Sequence, residues 1–461
     1  MAASRHIRLR RGLDLTGPKP ASYREREAEP LLIENAPGCT LIGISGLDYV
    51  EMKPSLCVNV GDRVRAGQPL FRHRRAPDLC VPAPGSGRIV TVQRGAKRSL
   101  DTISIELDEP EHLEQPQITE GGLERADPAQ IRAALLASGL WLSLRTRPFG
   151  RVPLPDAVPR RLFVTATDTR PFALDPDPII AARPDDFAAG LRCLATLQPQ
   201  IIHLCTTPAF ALPPPPIPCL EHVSFSGPHP AGLVGTHLHH LGVEASLNAD
   251  IWHLGYQDVL AIGQLYRTGR LDLGRIVSVA APGPRPPRAL RTRHGADLRV
   301  LLGDQLAPDS RLISGSLLDG RASHPGSRFL GRYHLQVTAL SQPPAPDQTR
   351  VTFATRGRAL ARGLLSDLRR RPASWPRLTT ALHGTPGGML PVEAFDAIWP
   401  LRSPPAALLR ALITGDADTA QDLGCLALDA EDLALCSYVC PGKFNYGTAL
   451  DDVQRQLERN G

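Results

Sequence analysis

Between residues 115 and 270 the chain alternates segments of helical periodicity with short apolar runs typical of buried strands. Asp127 stands where a helix N-cap is expected, and Gly269 stands where the last helix of this region would end. Strands that alternate with helices favour βαβ units around a parallel sheet. The predicted elements are a helix over 128–144, a strand over 161–168, a helix over 184–197, a strand over 200–207, and a strand leading into a helix over 250–269.

Residues 31–108 instead contain short strands separated by glycine turns, with alternating apolar residues in 88–92 and 102–107. The pattern V-x-x-G-D-x-V-x-x-G-Q-P-L, followed by A-P-x-S-G, resembles the biotinyl/lipoyl barrel-sandwich hybrid. Carrier members of that family hold a lysine on an exposed hairpin. The corresponding stretch, 71–85, contains no lysine, and Lys97 lies one hairpin too late. We therefore predict this fold without its swinging arm.

Length and composition indicate a multidomain protein of mixed class. A chain of 461 residues is too long for one core, since a domain typically holds ~100–200 residues. The predicted class is α/β multidomain (α+β). The predicted domains are the barrel-like region at 1–112, the parallel-sheet region at 113–270, short strands and a helix at 271–340, an irregular Pro/Arg-rich segment at 341–390 with one strand at 350–355, and C-terminal helices at 391–461.

Charge, cysteine content and hydropathy argue against several classes of protein. The net charge is +6, but arginine is spread along the chain without interleaved aromatic residues, so nucleic-acid binding is not predicted. Nine irregularly spaced cysteines argue against a secreted disulfide framework. No apolar run reaches the ~18 residues of a membrane span, and the N-terminus lacks an apolar signal core. We expect a cytoplasmic protein that reaches a membrane only through a partner.

Six of the fourteen histidines lie within residues 222–253, a density that suggests a metal site. The motif H-x-H-H begins at His237, but no acidic residue lies between His229 and its end, and no H-E-x-x-H helix is present. A metal site is therefore not predicted. The surrounding glycines and prolines predict an exposed loop near a domain junction, which either anchors backbone or contacts a ligand or partner. The candidate contact residues in this loop are His229, Gly232, Gly235, His237 and His239.

Cys436 and Cys440 form C-x3-C-P, the end of the bacterial ferredoxin run C-x2-C-x2-C-x3-C-P. The two preceding cysteines of that run would stand where this chain has Ala430 and Leu433. Since a [4Fe–4S] cluster needs four thiolates, we predict no cluster here. We interpret Cys436 and Cys440 as relic iron–sulfur positions in a turn at a helix end.

No glycine-rich phosphate loop follows any predicted strand. A βα unit that binds a dinucleotide or a flavin phosphate needs glycines there, because backbone N–H groups must approach the anion. The segment after the first helix, 144–155, carries Arg145 and Arg147 instead, whose charge attracts anions but whose bulk hinders close backbone approach. Walker A and G-x-S-x-G motifs are also absent, so we assign no catalytic residue.

Together these features resemble one family, the A subunits of the bacterial Na(+)-translocating NADH:quinone reductases. The segments that carry the resemblance are long, non-repetitive and spread over nearly the whole chain, except for 341–390. They are 10–15, 61–71, 83–98, 139–153, 163–171, 229–241, 252–272, 290–296, 330–337 and 436–447.

The resemblance extends to the flavoprotein subunit of respiratory complex I and to the C subunit of the ferredoxin:NAD oxidoreductase. It implies a barrel-sandwich hybrid, a Rossmann-like parallel-sheet domain, a β-grasp soluble-ligand-binding domain and a C-terminal helical bundle. In those relatives a G-G-A-G-F-P-T-like loop approaches FMN, and the matching segment here, 145–152, has arginine in place of glycine. The family therefore resembles a flavoprotein scaffold that has lost its redox groups. Arg145, Arg147 and Lys443 complete the candidate ligand or partner contacts.

The resemblance implies a peripheral subunit on the cytoplasmic face of the bacterial inner membrane. The complex would couple NADH oxidation and ubiquinone reduction to Na+ export. We expect no tightly bound cofactor on this chain, with the NADH site, flavins and iron–sulfur centres on other subunits. The expected partners are those subunits, especially the membrane subunits, with ubiquinone as a further contact. Two alternatives stay open, namely an active NADH-oxidising flavoprotein of the complex I type and a biotinyl/lipoyl-type carrier or binding module.

Overall fold

The structure, a computed structural model, describes residues 5–14, 31–95, 99–109, 114–281, 287–306, 310–324, 326–341, 389, 393–440 and 442–460. The strand predicted at 350–355 lies outside these residues. The strands are β1 (Arg5–Arg8), β2 (Ile33–Asn35), β3 (Leu41–Ser45), β4 (Pro54–Leu56), β5 (Arg63–Val64), β6 (Pro69–His73), β7 (Ala76–Pro82), β8 (Gly87–Arg94), β9 (Leu100–Leu107), β10 (Arg145–Arg147), β11 (Arg161–Ala166), β12 (Ile201–Thr206), β13 (Leu220–Ser226), β14 (Ile251–Gly255), β15 (Gly274–Ala280), β16 (Arg288–Arg293), β17 (Ser310–Ser314), β18 (Arg321–Ala322) and β19 (Gln336–Ser341).

Most helices lie beside the sheet that contains β11–β14 or at the C-terminal end of the described chain. No helix of the described residues is long and apolar enough to cross a membrane. The helices are α1 (Pro128–Ala137), α2 (Pro176–Ala181), α3 (Pro184–Ala195), α4 (Val234–Leu241), α5 (Tyr256–Thr268), α6 (Leu298–Leu302), α7 (Glu393–Ile398), α8 (Pro405–Thr414), α9 (Ala417–Asp422), α10 (Ala434–Val439) and α11 (Tyr446–Asn460).

Strands β3–β9 form the barrel region, which consists of two antiparallel sheets with strand orders β3–β9–β8–β5 and β4–β6–β7. Alternate residues of both sheets, such as Ile42, Phe71 and Ile105, are buried in one apolar cluster. The hairpin between β6 and β7 turns at Arg74 and Arg75, so its tip carries no lysine. The predicted arrangement of short strands around glycine turns is confirmed.

The α/β region contains the predicted parallel sheet, with strand order β1–β13–β12–β11–β14–β10. All neighbouring strands are parallel except β10, which runs antiparallel to β14. The edge strand β1 comes from the N-terminus, so residues that precede the barrel region in sequence complete this sheet. Helices α1, α3 and α5 supply much of the apolar cluster against one face, and α4 packs with a second cluster that contains Phe163 and Phe225.

Helix α1 begins as predicted but ends earlier. Asp127 caps it in a reciprocal pair, because its Oδ1 accepts from Gln130 N–H at 2.8 Å and its own N–H donates to Gln130 Oε1 at 3.1 Å. The predicted helix over 128–144 is interrupted at Gly139, whose φ of +71° belongs to the left-handed region. A 3-10 turn, Leu140–Ser143, follows and directs the chain into β10.

A third sheet has strand order β18–β17–β19–β15–β16–β2, and helix α6 packs against β15 and β19. Most of its buried apolar residues belong to the same cluster as those of the barrel region. Backbone contact is close at this boundary, since Gly43 N–H donates to Gly295 O at 2.8 Å. The C-terminal helices α7–α11 form the helical region around a separate core, in which Phe395, Tyr446 and Leu450 are fully buried.

Two glycines allow α3 and α5 to pack in direct backbone contact. A Cβ atom on Gly263 would lie 1.7 Å from Asp186 O, and one on Gly190 would lie 2.2 Å from Val259 O. Contacts this short leave no room for a methyl group, so the helix axes would have to separate.

We predict that Gly263→Ala lowers the free energy of unfolding by about 1–3 kcal/mol, the usual cost of overpacking a core. The control is Gly255→Ala at the N-cap of α5, where φ is −90° and an added Cβ meets nothing within 4 Å. Thermal unfolding of both variants checks the prediction. Equal melting temperatures for the two variants would contradict it.

Candidate functional site

A cavity of about 700 Å³ lies where the barrel region, the α/β region, the third sheet and the helical region meet. We call it the junction cavity. Arg145, Gly232 and Lys443 line it, whereas the other candidate residues from the sequence do not. The charged residues in its wall are Asp48, Arg145, Asp168, Arg170, Asp258, Arg275, Asp319, Arg321, Arg332, Asp429, Glu431 and Lys443.

Arg147 does not face the cavity but is completely buried beneath it, with 0% of its side chain exposed. Its Nη2 lies 2.6 Å from Glu431 Oε1 and its Nη1 lies 2.9 Å from Asp432 Oδ2. Burial alone would lower the pKa of the guanidinium, but the nearby carboxylates of Asp429, Asp432 and Glu431 raise it above its ordinary value. Arg147 therefore forms a buried ion-pair contact between β10 and the helical region, which we call the joint.

Arg170 completes this joint from the other side of Glu431. Its guanidinium pairs with Glu431 Oε2 and with Asp319 Oδ2 at 2.7 Å, and it lies 3.4 Å from Asp168 Oδ1. Burial raises the pKa of a carboxyl group, but Arg170 and Arg147 together hold the pKa of Glu431 well below its usual range. Glu431 thus accepts hydrogen bonds from two arginines of the α/β region.

The segment 145–152, which has arginine where a phosphate loop would need glycine, does not form a phosphate cradle. Thr146 N–H donates to Arg151 O at 2.8 Å and Gly150 N–H donates to Thr146 O at 3.1 Å, so these amides are used within the turn. Pro148 has no N–H to offer. The residues at this loop therefore do not fit the close backbone approach that a flavin phosphate needs.

The predicted exposed loop at the histidine cluster is wrong in two respects. Val234–Leu241 is a helix, α4, and His229 and His237 are buried. His229 Nδ1 is 3.1 Å from Thr169 Oγ1, and His237 Nε2 is 2.9 Å from Ala231 O. These histidines therefore hold backbone and neighbouring side chains in place within the α/β region.

The remaining candidates of this cluster also lie at packed contacts. His239 Nε2 accepts a hydrogen bond from Arg402 N–H at 3.0 Å, which ties α4 to the helical region. A Cβ atom on Gly235 would lie 2.6 Å from the Asp432 carboxylate, and one on Gly232 would lie 2.7 Å from Thr169 N. Both glycines are needed for close packing at the junction.

Cys436 and Cys440 lie at α10 within the core of the helical region. Both are buried, and Cys440 Sγ is 3.2 Å from Tyr446 Oη. Burial raises the pKa of the Cys436 thiol. Within the described part of the chain, no group of three or more His, Cys, Asp or Glu residues is placed to hold a metal ion.

The charged network around the cavity was not predicted from the sequence. The candidate residues did not include Arg170, Glu431, Arg332 or Tyr333, although an acidic cluster at 429–432 is visible in the sequence. That cluster gave no indication of its partners, because Arg147 and Arg170 are more than 250 positions away in the chain. The helix at the histidine cluster did have a signal, since Val234, Leu238 and Leu241 follow helical spacing.

We predict that Arg147→Ala lowers the free energy of unfolding by about 3–5 kcal/mol, because it leaves buried carboxylates without their partner. Urea denaturation followed by circular dichroism measures the loss. The matched control is Arg63→Ala, which removes an exposed pair with Asp108 and should cost less than about 1 kcal/mol. A loss in Arg147→Ala no larger than in the control would show that the joint is not essential.

Buried histidines predict a second, pH-dependent effect. Burial lowers the pKa of His237 to about 4, while the unfolded chain keeps a value near ~6.5. Between ~6.5 and about 4, the unfolded state therefore binds more protons than the folded state. The contribution of neutral His237 to stability is fully present above ~6.5 and is lost progressively as pH falls towards about 4. Asp177 and Asp432, whose pKa values burial raises to about 6 and about 7, act in the opposite direction.

The test isolates His237 by comparing the wild type with His237→Gln in urea denaturation between pH 7.5 and pH 5. The stability advantage of the wild type should shrink by up to about 1.4 kcal/mol per pH unit below ~6.5. A difference that stays constant over this range would mean that His237 is not held neutral by the fold.

Comparison with known proteins gives matches to family models along most of the described chain. The NqrA N-terminal barrel-sandwich hybrid domain matches residues 7–108, the NqrA second alpha/beta domain matches 126–271, and the NQRA C-terminal domain matches 276–324. The barrel region is thus a barrel-sandwich hybrid, as the sequence predicted.

Curated relatives are similar over their full length. The chain is 42% identical over 458 residues to the A subunit of the Na(+)-translocating NADH-quinone reductase of Pseudomonas aeruginosa strain PAO1, covering 99% of this chain and 100% of that protein. The proteins of the same name from Serratia proteamaculans and Neisseria meningitidis are 40% and 37% identical, again over 99% of this chain and 100% of theirs. The chain therefore belongs to the NqrA family, the A subunits of Na(+)-translocating NADH-quinone reductases.

Proposed function

We propose that this chain is the A subunit of a Na(+)-translocating NADH-quinone reductase, a complex that couples NADH oxidation and ubiquinone reduction to Na+ export. The observation that carries the proposal is the similarity to named A subunits over 99% of this chain and the whole of theirs. Because the relatives are named as one subunit of a larger enzyme, other subunits are its implied partners. The chain takes part in the enzyme without a catalytic residue assigned to it.

We infer a peripheral position on the cytoplasmic face of the inner membrane, with the membrane subunits as direct partners. Two large apolar side chains of the barrel region support such a contact. Leu47 and Val50 are 57% and 49% exposed, and both line the junction cavity. Exposed apolar groups at the rim of a cavity favour an apolar partner surface or ubiquinone. Arg145, Gly232 and Lys443 are the candidates from the sequence that such a ligand or partner would reach.

We further propose that flavins, iron–sulfur centres and the NADH site belong to other subunits. The closed turn at 145–152, with Arg147 paired to the helical region, supports this distribution for flavin. The burial of Cys436 and Cys440 in an apolar core supports it for an iron–sulfur cluster. An active flavoprotein of the complex I type would need a different loop at this position.

The domain organisation follows the same proposal. The α/β region is Rossmann-like, the third sheet with α6 is a β-grasp soluble-ligand-binding domain, and the helical region is a C-terminal bundle. The boundaries at 112 and 270 are supported by a change of sheet, and those at 340 and 390 border a segment, 342–388, that lies outside the described residues. Strands β1 and β2 lie before the barrel region in sequence but pair with β13 and β16 of the later domains.

We predict that the double substitution Leu47→Glu and Val50→Glu reduces recovery of the membrane subunits with the affinity-tagged chain, or reduces quinone reduction by the assembled complex. The cause would be two carboxylates placed in an apolar contact. The matched control is Val60→Glu, since Val60 is 61% exposed in the barrel region but does not line the cavity.

Three results of this experiment would count against the proposal. Failure of the wild-type chain to co-purify with the membrane subunits would contradict its role in the complex. Equal recovery and equal quinone reduction for the double variant and Val60→Glu would contradict the position of the contact. A flavin absorbance band in the purified wild-type chain, bleached by NADH, would support the complex I type flavoprotein instead.

A further inference from the structure

A second, smaller cavity lies at the opposite edge of the parallel sheet from the junction cavity. Thr165 and Leu254, near the carboxyl ends of β11 and β14, line the junction cavity. Arg161 and Ile201, at the amino ends of β11 and β12, line the second cavity, and the segment 241–244 at the end of α4 forms another part of its wall. We call it the amino-end cavity. Its volume is about 340 Å³.

The strand register brings three polar side chains onto one face of the sheet in this cavity. Phe163 and His203 are Cα partners across β11 and β12, and their ring centres are 4.7 Å apart. Arg161 precedes Phe163 by two residues and therefore lies on the same face. Glu221 is the Cα partner of His203 in β13. Since neighbouring strands are ~4.8 Å apart and alternate residues ~6.6 Å apart, Arg161 and His203 have Cα atoms about 8 Å from each other, within reach of an arginine side chain.

His203 is buried in the wall without a hydrogen bond. It is 3% exposed, and neither ring nitrogen has a partner in the part of the chain that the structure describes. Its Nδ1 is 3.3 Å from Glu221 Oε2, but the orientation is not that of a hydrogen bond. Burial and the nearby charge of Arg161 lower the pKa of His203 to about 4, so the ring is neutral at pH 7. A neutral imidazole has one donor and one acceptor to offer, and buried polar groups normally use both.

The charges of the wall have both signs and are not paired with each other. Arg160 is neutralised from outside the cavity, because its Nε is 2.8 Å from Asp250 Oδ2. Arg161 forms no ion pair with any described residue, and its buried Nε has no hydrogen-bond partner there. Glu221 contacts only the neutral His203, and Glu244 has no described cation beside its carboxylate. An anion alone would leave the carboxylates unbalanced, and a cation alone would leave Arg161 unbalanced, so the wall favours a ligand that carries both charges.

We propose that the amino-end cavity binds a small aliphatic α-amino acid as its zwitterion. Arg161 binds the carboxylate of the ligand through its planar guanidinium fork. Glu221 Oε2 and His203 Nδ1, which are 3.3 Å apart, both accept from the ammonium group, which has three donors. The proton of neutral His203 is then on Nε2. Glu244 adds a second carboxylate to the wall.

The rest of the wall determines the kind of side chain that fits. Ile201, Leu241 and Val243 line the cavity and give an aliphatic group apolar surface to contact. A volume of about 340 Å³ is near the lower end of the ~300–1,000 Å³ of small-molecule sites, which suits a ligand of this size. Because Glu221 is 54% exposed on its side chain, the cavity is reached from solvent at that residue. The site does not depend on the proposed role in the reductase.

Saturation-transfer difference NMR of the purified full-length chain near neutral pH tests the proposal without other subunits. The probes are L-valine, isovalerate, which lacks the ammonium group, and isobutylamine, which lacks the carboxylate. The variants are Arg161→Gln and Glu221→Gln. Their matched controls on the barrel surface are Arg63→Gln and Glu106→Gln, each of which removes the same charge from an exposed side chain.

We expect L-valine to bind and each single-charge probe to bind at least about tenfold more weakly, since each lacks one hydrogen-bonded charge. Arg161→Gln and Glu221→Gln should each weaken L-valine binding by about tenfold, whereas the two controls should leave it unchanged. Both cavity variants should fold, because neither side chain makes a described hydrogen bond that the substitution removes. Circular dichroism checks that they do.

Three outcomes would overturn the proposal. One is the absence of L-valine binding to the wild-type chain. Another is equal affinity for L-valine and for either single-charge probe, which would mean that the wall does not recognise a zwitterion. The third is L-valine affinity in Arg161→Gln and Glu221→Gln equal to that in Arg63→Gln and Glu106→Gln, which would place the binding outside the amino-end cavity.

Discussion

The position of the helical region depends on one carboxylate, Glu431, which is held between Arg147 and Arg170. A buried carboxylate is costly unless it is paired, and two arginines from the α/β region neutralise it. The same contact places Asp429, Ala430 and Glu431 in the wall of the junction cavity. The shape and the charge of the cavity thus both follow from this joint. Removing either arginine would change stability and the site together.

The joint also determines the conformation of 145–152, where the sequence has arginine and no glycine-rich phosphate loop. A phosphate loop needs glycines so that backbone N–H groups reach the anion, whereas here the side chain of Arg147 extends to the helical region. Close backbone approach occurs instead at other glycines. Gly232 and Gly235 bring the start of α4 against Thr169 and Asp432, where no Cβ could be accommodated. Segment 145–152 is therefore a contact between the α/β region and the helical region at the edge of the junction cavity.

Local sequence patterns predicted the secondary structure where one interaction dominates. The strands at 161–168 and 200–207 and the cap at Asp127 were predicted because burial and capping leave direct signatures. The helix at 234–241 was missed because the density of His, Gly and Pro around it indicated a loop. The prediction that His237 is exposed was wrong for a related reason. A polar side chain can be buried where a backbone acceptor such as Ala231 O is available.

The family, the barrel of short strands, the parallel sheet and the lack of a glycine-rich phosphate loop could all be predicted from the sequence alone. These features are local or are carried by long motifs, so they can be read without knowing which segments meet. The pairing of charges, in contrast, depends on which distant segments the fold brings together. Arg147 and Glu431 are 284 positions apart in the chain, and no local pattern relates them.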